Sequence, residues 1–526
     1  MRTRIGLFVL FQALYALTSS GNAFRIPDEF ELYFQTEHLI DAGDISVPQA
    51  LAIQQPVIVD GKVVGTQSIL FGKIGQDGKP YAPYGPLAAF LAVPHHLLGR
   101  SLASLFGIPR VPQNQGLAWV IFVGGITMLS TATAAALTVA GFHRAAIALG
   151  TLPGPALWLS LLLGGATVLW PYGTSFFTEA WQAAAFIWAA ALLIEARGIE
   201  KPTVRIAVAG VLIALAGLTK VTSLVFAPAF VLAVLADHTI AMNRRVQAAS
   251  VLIGGIALAT AVHLGWNLHR FGSAFDFGYD WAETIPVLPP QTFSLAELPR
   301  GLVVLLFSPG KSIFLWAPLT VLALINAGRS WKRDPALMVG LASALGVGLL
   351  FYGGYLFVEG GYAHGPRHLV PIIPLVILAA AGPDASRWSR PVLLTCGAVG
   401  LVMALFATGV SFLEDQALRR DAKGQAVPGY YEIVDPSPGR PNNRYRLGYV
   451  PFVTALSTPG WMQSPALGQG PDYFFLHLKQ ARRQLPDGQA IPASVTWIWP
   501  AFWLIVMAAA AIDLANRREK YTRAPA

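Results

Sequence analysis

The sequence predicts an all-α polytopic membrane protein, a bundle of about twelve transmembrane helices whose first loop carries juxtamembrane helices. Three observations predict it. Of 526 residues, 54% are hydrophobic and only 12% are charged, roughly half the charged share of a soluble domain. Mean hydropathy is +0.53. Apolar runs of about 20 residues recur, each long enough to cross a bilayer as a helix that satisfies its own backbone hydrogen bonds. Length alone would suggest about three soluble domains, but the apolar runs overrule that expectation. The alternation of a lipid-facing β-barrel is absent from the sequence.

The formal net charge is +9, yet the basic residues sit in short clusters between apolar runs. Membrane proteins mark their cytoplasmic loops in this way, so nucleic acid is not an expected partner and the lipid bilayer is. The single cysteine, Cys396, lies inside an apolar run. An intramolecular disulfide and a cysteine-based metal cluster are both excluded. No metal constellation and no cofactor motif stands out.

Arg2 and Arg4 precede an apolar stretch ending near Gly21-Asn22-Ala23, which suits a signal peptide or a retained helix; a retained helix over about 5–23 is expected. Both readings place residue 25 onward outside the cytoplasm. Residues 24–116 form a first extracytoplasmic loop, with turn chemistry at Asp60-Gly61 and Asp77-Gly78 that fits a small β element. Within it, 86–99 is apolar but interrupted by Pro94, His95 and His96. It suits an interfacial or re-entrant helix better than a span.

If 86–99 does not cross, the later spans fall near 117–141, 152–171, 176–196, 204–222, 223–237, 247–266, 302–327, 335–357, 368–382, 391–412 and 495–514. Nearly every basic cluster then faces the cytoplasm, including His143-Arg144, Arg197/Lys201/Arg205 and Arg244-Arg245. Three regions result: a core over 1–412, an extracytoplasmic segment over 413–494, and a last helix with a cytoplasmic tail over 495–526. The middle segment, rich in Pro, Gly and Asn with Arg440, Arg444 and Arg446 close together, is too long for a plain connector and suits a small cap or lid.

The conspicuous polar motifs fall on one side in this threading. Pro27-Asp28-Glu29 sets two carboxylates just after the first helix, where they suit a general base, a metal ligand or a proton carrier. Taken alone, the pair is explained more simply by a solvated helix N-terminus, with acids meeting the helix dipole. Lys79-Pro80-Tyr81-Ala82-Pro83-Tyr84-Gly85-Pro86 leads into the short apolar helix; its tyrosines suit an interface belt, and Lys79 and Tyr84 suit contact with a lipid phosphate. Thr178-Glu179 opens a helix at its outer end. Leu218-Thr219-Lys220 sets a lysine between two apolar helices, either snorkelling or facing a cavity.

Phe307-Ser308-Pro309-Gly310-Lys311-Ser312 resembles a phosphate loop only in part, since Leu305 stands where the first glycine belongs and no strand precedes it. An ATP site is rejected. A helix break with Lys311 and free backbone N–H groups would instead make an anion pocket. In Gly360-Gly361-Tyr362-Ala363-His364-Gly365-Pro366-Arg367-His368 the glycines permit close approach, and Arg367 offers a fork of donors suited to phosphate.

Taken in order over most of residues 1–380, these motifs resemble the GT-C superfamily of membrane glycosyltransferases. The likeness is to its polyprenyl-phosphate-dependent group, which includes protein O-mannosyltransferases and aminoarabinose transferases. Asn267-Leu268-His269-Arg270-Phe271-Gly272-Ser273 belongs to the same set. The resemblance implies a GT-C-like bundle and an inverting transfer of a sugar from a polyprenyl-phosphate donor to an acceptor hydroxyl on a glycan, lipid or protein. It points to Asp28 as the base, with Glu29 the adjacent alternative. It assigns Lys79, Tyr84, Lys220, Lys311, His364 and Arg367 to the donor phosphate, and Glu179 and Arg270 to sugar or acceptor. It places the protein in a bacterial cytoplasmic membrane with its active site facing outside.

Two other readings stand beside it. A secondary transporter or lipid flippase would show internal repeats and ionisable residues at the bilayer midplane, whereas here they gather at one surface. An outer-face oligosaccharide ligase or polymerase would rely on Arg and His without an essential carboxylate. The sequence names neither the sugar nor the acceptor.

Overall fold

A computed structural model describes the 526-residue chain apart from residues 22–25, 53, 60–61, 69, 71, 111–115, 200–201, 279–292, 356–357, 359, 361–362, 410–471 and 524–526. Most of the 413–494 segment, with Arg440, Arg444 and Arg446, therefore lies outside the described residues, as do Asp60-Gly61 and Tyr362.

The first part of the chain comprises α1 (Arg2–Leu17), α2 (Pro27–Ala42), α3 (Pro48–Ala52), α4 (Leu87–Leu105), α5 (Leu117–Thr127), α6 (Leu129–Ala148), α7 (Pro153–Gly165) and α8 (Leu169–Gly173). Then come α9 (Glu179–Ala196), α10 (Thr203–Thr219), α11 (Ala227–Leu235) and α12 (Met242–Phe271). The rest are α13 (Leu298–Phe307), α14 (Ile313–Trp316), α15 (Leu319–Arg333), α16 (Pro335–Gly353), α17 (Ile373–Ile377), α18 (Arg390–Gly409), α19 (Phe474–Gln484) and α20 (Val495–Arg523).

Among the described residues, five helical stretches are long and apolar enough to cross a membrane: Leu117–Ala148, Met242–Phe271, Pro335–Gly353, Arg390–Gly409 and Val495–Arg517. Three shorter apolar stretches accompany them, Thr203–Thr219, Val221–Leu235 and Arg367–Ala380. Fewer full-length apolar helices form than the apolar runs suggest, because several runs break. The expected helix over 302–327 divides into α13, α14 and α15, with Pro309-Gly310 and Pro318 at the divisions. The expected 368–382 helix is a short α-helix between two 3₁₀ turns, Arg367–Ile372 and Leu378–Ala380. Its residues from Leu369 to Gly382 are nevertheless buried.

The expected β element is present: Gln54–Val59 pairs antiparallel with Lys62–Ser68, and Lys73–Ile74 with Pro80–Tyr81. The Asp77-Gly78 turn joins the second pair, Gly78 having φ +76°.

The apolar helix of the first loop is longer than expected, since α4 runs through Pro94 to Leu105. Its packing shows where it goes. The chain just before it, at Gly85, lies against the Leu218 carbonyl at the end of α10. His95 then meets Thr133 (3.0 Å) and His96 meets Thr127 (3.1 Å), while Phe106, just past its end, packs on Phe122. The α4 helix thus leaves the Lys220 end antiparallel to α5. An ionic cluster fixes it to α2: Arg100 Nη1 lies 2.7 Å from Asp41, Arg110 also pairs with Asp41, and both arginines approach the buried Glu37.

The two ends of the bundle differ in chemistry. At one end Glu195 receives Arg144 and Arg205, and Arg197 holds both Asp237 and Asp334. Because α9 and α10 pack antiparallel, the start of α9 and the end of α10 meet at the opposite end. There the site assembles.

Candidate functional site

Four segments far apart in sequence converge on one ionic cluster. Glu179 opens α9 and is buried, being 1% exposed. Lys220 follows α10 in extended backbone (φ −156°, ψ 118°) before a 3₁₀ turn, so its side chain leaves the helical line. Its Nζ stands 3.0 Å from Glu179 Oε1. Arg367 opens the 3₁₀ turn after Pro366 and reaches the same Oε1 with Nε at 2.9 Å. Its Nη2 stands 2.6 Å from Asp28 Oδ1, and its Nη1 donates to the Gly360 carbonyl at 3.2 Å.

Two features make that position of Arg367 possible. Gly360 has φ +73°, and a Cβ there would lie 2.6 Å from the Arg367 Cβ. The Phe177 ring lies against the guanidinium, 4.1 Å from centroid to Cζ, a cation–π contact worth about 0.5–2 kcal/mol. A guanidinium only 7% exposed requires partners on every edge, and two carboxylates, a carbonyl and an aromatic face provide them.

The two adjacent carboxylates of α2 separate in role. Pro27 takes the first helical position, where its missing N–H costs nothing, and Ile26 before it is extended. Glu29 points inward, is fully buried, and accepts from the Phe176 backbone N–H at 3.0 Å. Asp28 stays partly exposed, its side chain at 16%, and meets Arg367. Glu29 thus ties the start of α2 to the segment before α9, while Asp28 faces the cluster.

Lys311 and His364 lie next to it. Lys311, 6% exposed, donates from Nζ to the Ala363 carbonyl, four residues before Arg367. The His364 ring stacks on Trp316 with centroids 6.0 Å apart, and its carbonyl accepts from Tyr172 Oη at 3.1 Å. A small polar cavity here is lined by Ser20, Tyr172, Thr174, Ser175, Phe177 and His364, among others.

The break at 308–312 exists as expected, but the backbone N–H groups beyond it do not form the expected anion pocket. Ser312 caps α14, its hydroxyl accepting from the N–H groups of Phe314 (3.2 Å) and Leu315 (3.4 Å). What the break contributes is the placement of Lys311.

Two expected site residues, Lys79 and Arg270, have partners outside this cluster, and a third, Tyr84, is buried. Lys79 pairs with Asp44 at 2.6 Å, its side chain 52% exposed. Tyr84 is buried among apolar neighbours, 4% exposed. Arg270 binds the Ala82 carbonyl at 2.6 Å and the Asn267 side chain at 2.9 Å, and lies against Trp266 and Phe271. It joins the end of α12 to the strand that leads into α4. The sequence motifs do not single out Phe177, Tyr172 or the Gly360 carbonyl. The aromatic pair preceding Glu179 is a visible signal for Phe177.

Among the described residues no group of three or more His, Cys, Asp or Glu side chains is placed to hold a metal ion. Chemically, the cluster presents cations close together with one partly exposed carboxylate. It can bind an anion and accept a proton at adjacent points.

No known protein family matches the sequence, and no curated protein matches it. Among solved structures the chain is similar to ArnT from Cupriavidus metallidurans bound to undecaprenyl phosphate, at 14% identity and a TM-score of 0.42, over 98% of this chain and 76% of that one. It is also similar to the Archaeoglobus fulgidus oligosaccharyltransferase in the apo form, at 12% identity and a TM-score of 0.45, over 85% of this chain and 64% of that one. A third likeness is to archaeal AglB from Archaeoglobus fulgidus in complex with an inhibitory peptide and a dolichol-phosphate, at 12% identity and a TM-score of 0.43, over 92% of this chain and 58% of that one. The chain spans less than two thirds of the length of the two archaeal structures.

Proposed function

We propose that the protein is a membrane glycosyltransferase that moves a sugar from a polyprenyl-phosphate donor to an acceptor hydroxyl, with inversion. One observation carries this reading: Arg367 bridges Asp28 and Glu179, and Lys220 shares Glu179, so two carboxylates and two cations from four segments meet at one point. A further cation, Lys311, stands at the segment that carries Arg367.

Asp28 takes the proton of the acceptor hydroxyl as its oxygen bonds to the anomeric carbon. The bond from that carbon to the phosphate oxygen breaks, and the electron pair leaves with the polyprenyl phosphate. Arg367, Lys220 and Lys311 stabilise the charge that develops there, in a buried setting where such stabilisation is strong. Glu179 holds two of these cations in place. Glu29 positions α2 through Phe176 and serves no proton-transfer role.

Arg367 pairs with Asp28. Phosphate that draws Arg367 toward itself releases Asp28 for the acceptor, so the base becomes available when the donor is bound. The site faces outside a cytoplasmic membrane in this reading, and the basic end with Arg144, Arg197 and Arg205 faces inside.

Native mass spectrometry of the full-length protein offered a polyprenyl phosphate and the matching polyprenol tests the reading. The expected result is one bound phosphate and no retained alcohol. Equal retention of both, or of neither, overturns it. Transport of the lipid without sugar release in proteoliposomes would favour the flippase reading instead.

A further inference from the structure

A second cavity lies at the basic end of the bundle, away from the Asp28 cluster. It opens between α9, α10, α11, α12 and α16 and contains about 920 Å³ of empty space, part of it open to the surroundings. Its walls include Ala190, Leu193, Phe230, Ala233, Leu341 and Ala344. Glu179 and Ala196 are opposite ends of α9, roughly 25 Å apart at 1.5 Å per residue, so this space is remote from the transfer site.

The cavity has a charged rim. Arg197, Arg244 and Arg245 all line it, with Asp237. Arg197 is held by Asp237 at 2.8 Å and by Asp334 at 2.5 Å. Arg244 and Arg245 have no carboxylate partner among the described residues. Arg245 is only 8% exposed; its Nη1 donates to the Leu235 carbonyl at 2.8 Å and meets His238 Nδ1 at 3.0 Å. Its Nε is buried with no hydrogen-bond partner among the described residues. A buried donor left without an acceptor is costly, and more so on a cation. Arg244 is exposed beside it.

We propose that this cavity is a binding site for an anionic phospholipid of the surrounding bilayer, with its phosphodiester on Arg244 and Arg245 and one acyl chain along its apolar wall. An apolar slot in helices that face hydrocarbon accepts a chain without loss of hydration. The arginine pair selects for a net negative head group, since basic side chains between membrane helices draw anionic lipids. The site is independent of sugar transfer, and the lipid here is a resident of the fold.

The test uses full-length protein in detergent, titrated in native mass spectrometry with phosphatidylglycerol, with phosphatidylcholine of the same acyl chains, and with a polyprenyl phosphate. One phosphatidylglycerol is expected to bind at least about tenfold more tightly than phosphatidylcholine. Arg244→Glu, at an exposed side chain with no carboxylate partner among the described residues, is expected to weaken it by about tenfold or more. That variant should leave the melting temperature of the lipid-free protein unchanged. Ala344→Phe, which narrows the slot and keeps the arginines, is expected to weaken both phospholipids. Equal binding of the two phospholipids overturns the proposal, as does unaltered binding to Arg244→Glu. Displacement of phosphatidylglycerol by polyprenyl phosphate in a Lys311→Gln background would also overturn it, since the slot would then belong to the donor lipid.

Discussion

Arg367 holds Asp28 and Glu179 with different nitrogens of one guanidinium, Nη2 at 2.6 Å from the first and Nε at 2.9 Å from the second. A lysine is a single point charge and cannot span both. Arg367→Lys is therefore expected to retain the fold and lower transfer by about 10²-fold, the scale of losing one transition-state donor. Arg367→Met removes the charge as well and leaves the buried Glu179 with Lys220 alone, which should cost about 1–3 kcal/mol of stability. Thermal unfolding alongside initial transfer rates separates the two.

Glu179 is shared by Lys220 at 3.0 Å and Arg367 at 2.9 Å. In Glu179→Gln the two cations lose their common counter-charge, so the ligand-free protein should melt at lower temperature. Added polyprenyl phosphate should restore much of that loss, because an anion bound only by the folded state stabilises it. Melting curves with and without the lipid check this; a deficit untouched by lipid phosphate would contradict an anion site here.

At Gly360 a side chain meets both a positive φ and the Arg367 Cβ at 2.6 Å. Gly360→Ala is expected to cost about 1–2 kcal/mol from backbone strain alone and to displace the carbonyl that Arg367 Nη1 uses. Transfer should fall more than stability accounts for. A rate loss fully explained by the unfolded fraction would argue against that role.

Asp41 gives a pH dependence outside the spans. Burial raises its pKa, but hydrogen bonds and charge from Arg100 and Arg110 prevail and hold it at about 2, against 3.8 for the free group. A carboxylate with a depressed folded pKa contributes stability that is fully present above the unfolded value and is lost as pH falls through the folded one. The packing of α2 on α4 should therefore hold at pH 4 and loosen toward pH 2. Pepsin digestion across that interval should show cleavage near 87–105 appearing as pH falls. Asp41→Asn should already be cleaved at pH 4 and change little below it.

Much of this was legible in the chain because apolar length and charge placement act locally. The charged motifs at 28, 179, 220, 311 and 367 all proved to lie at one end, since each sits where an apolar run stops and a polar group can leave lipid. What hydropathy could not supply was the break pattern. A run such as 302–327 is apolar whether continuous or divided, and the divisions at Pro309-Gly310 and Pro318 depend on packing within the bundle. Pairing was equally hidden. Nothing in Asp28-Glu29 says that Glu29 turns inward to the Phe176 N–H and Asp28 outward to Arg367, because that choice depends on a partner 147 residues away. Lys79 is expected at the phosphate by type and Arg270 at the acceptor by resemblance; Lys79 pairs with Asp44 and Arg270 with the Ala82 carbonyl.

The most direct measurement is single-turnover transfer from a polyprenyl-phosphate sugar by Asp28→Asn, with lipid-phosphate binding measured on the same preparation. Asparagine keeps the size and an acceptor oxygen for Arg367 but cannot take a proton. Transfer is expected to fall by about 10²–10⁴-fold, the range of general-base contributions, with lipid binding retained. Unchanged turnover in Asp28→Asn would contradict the assignment of the base and the mechanism built on it.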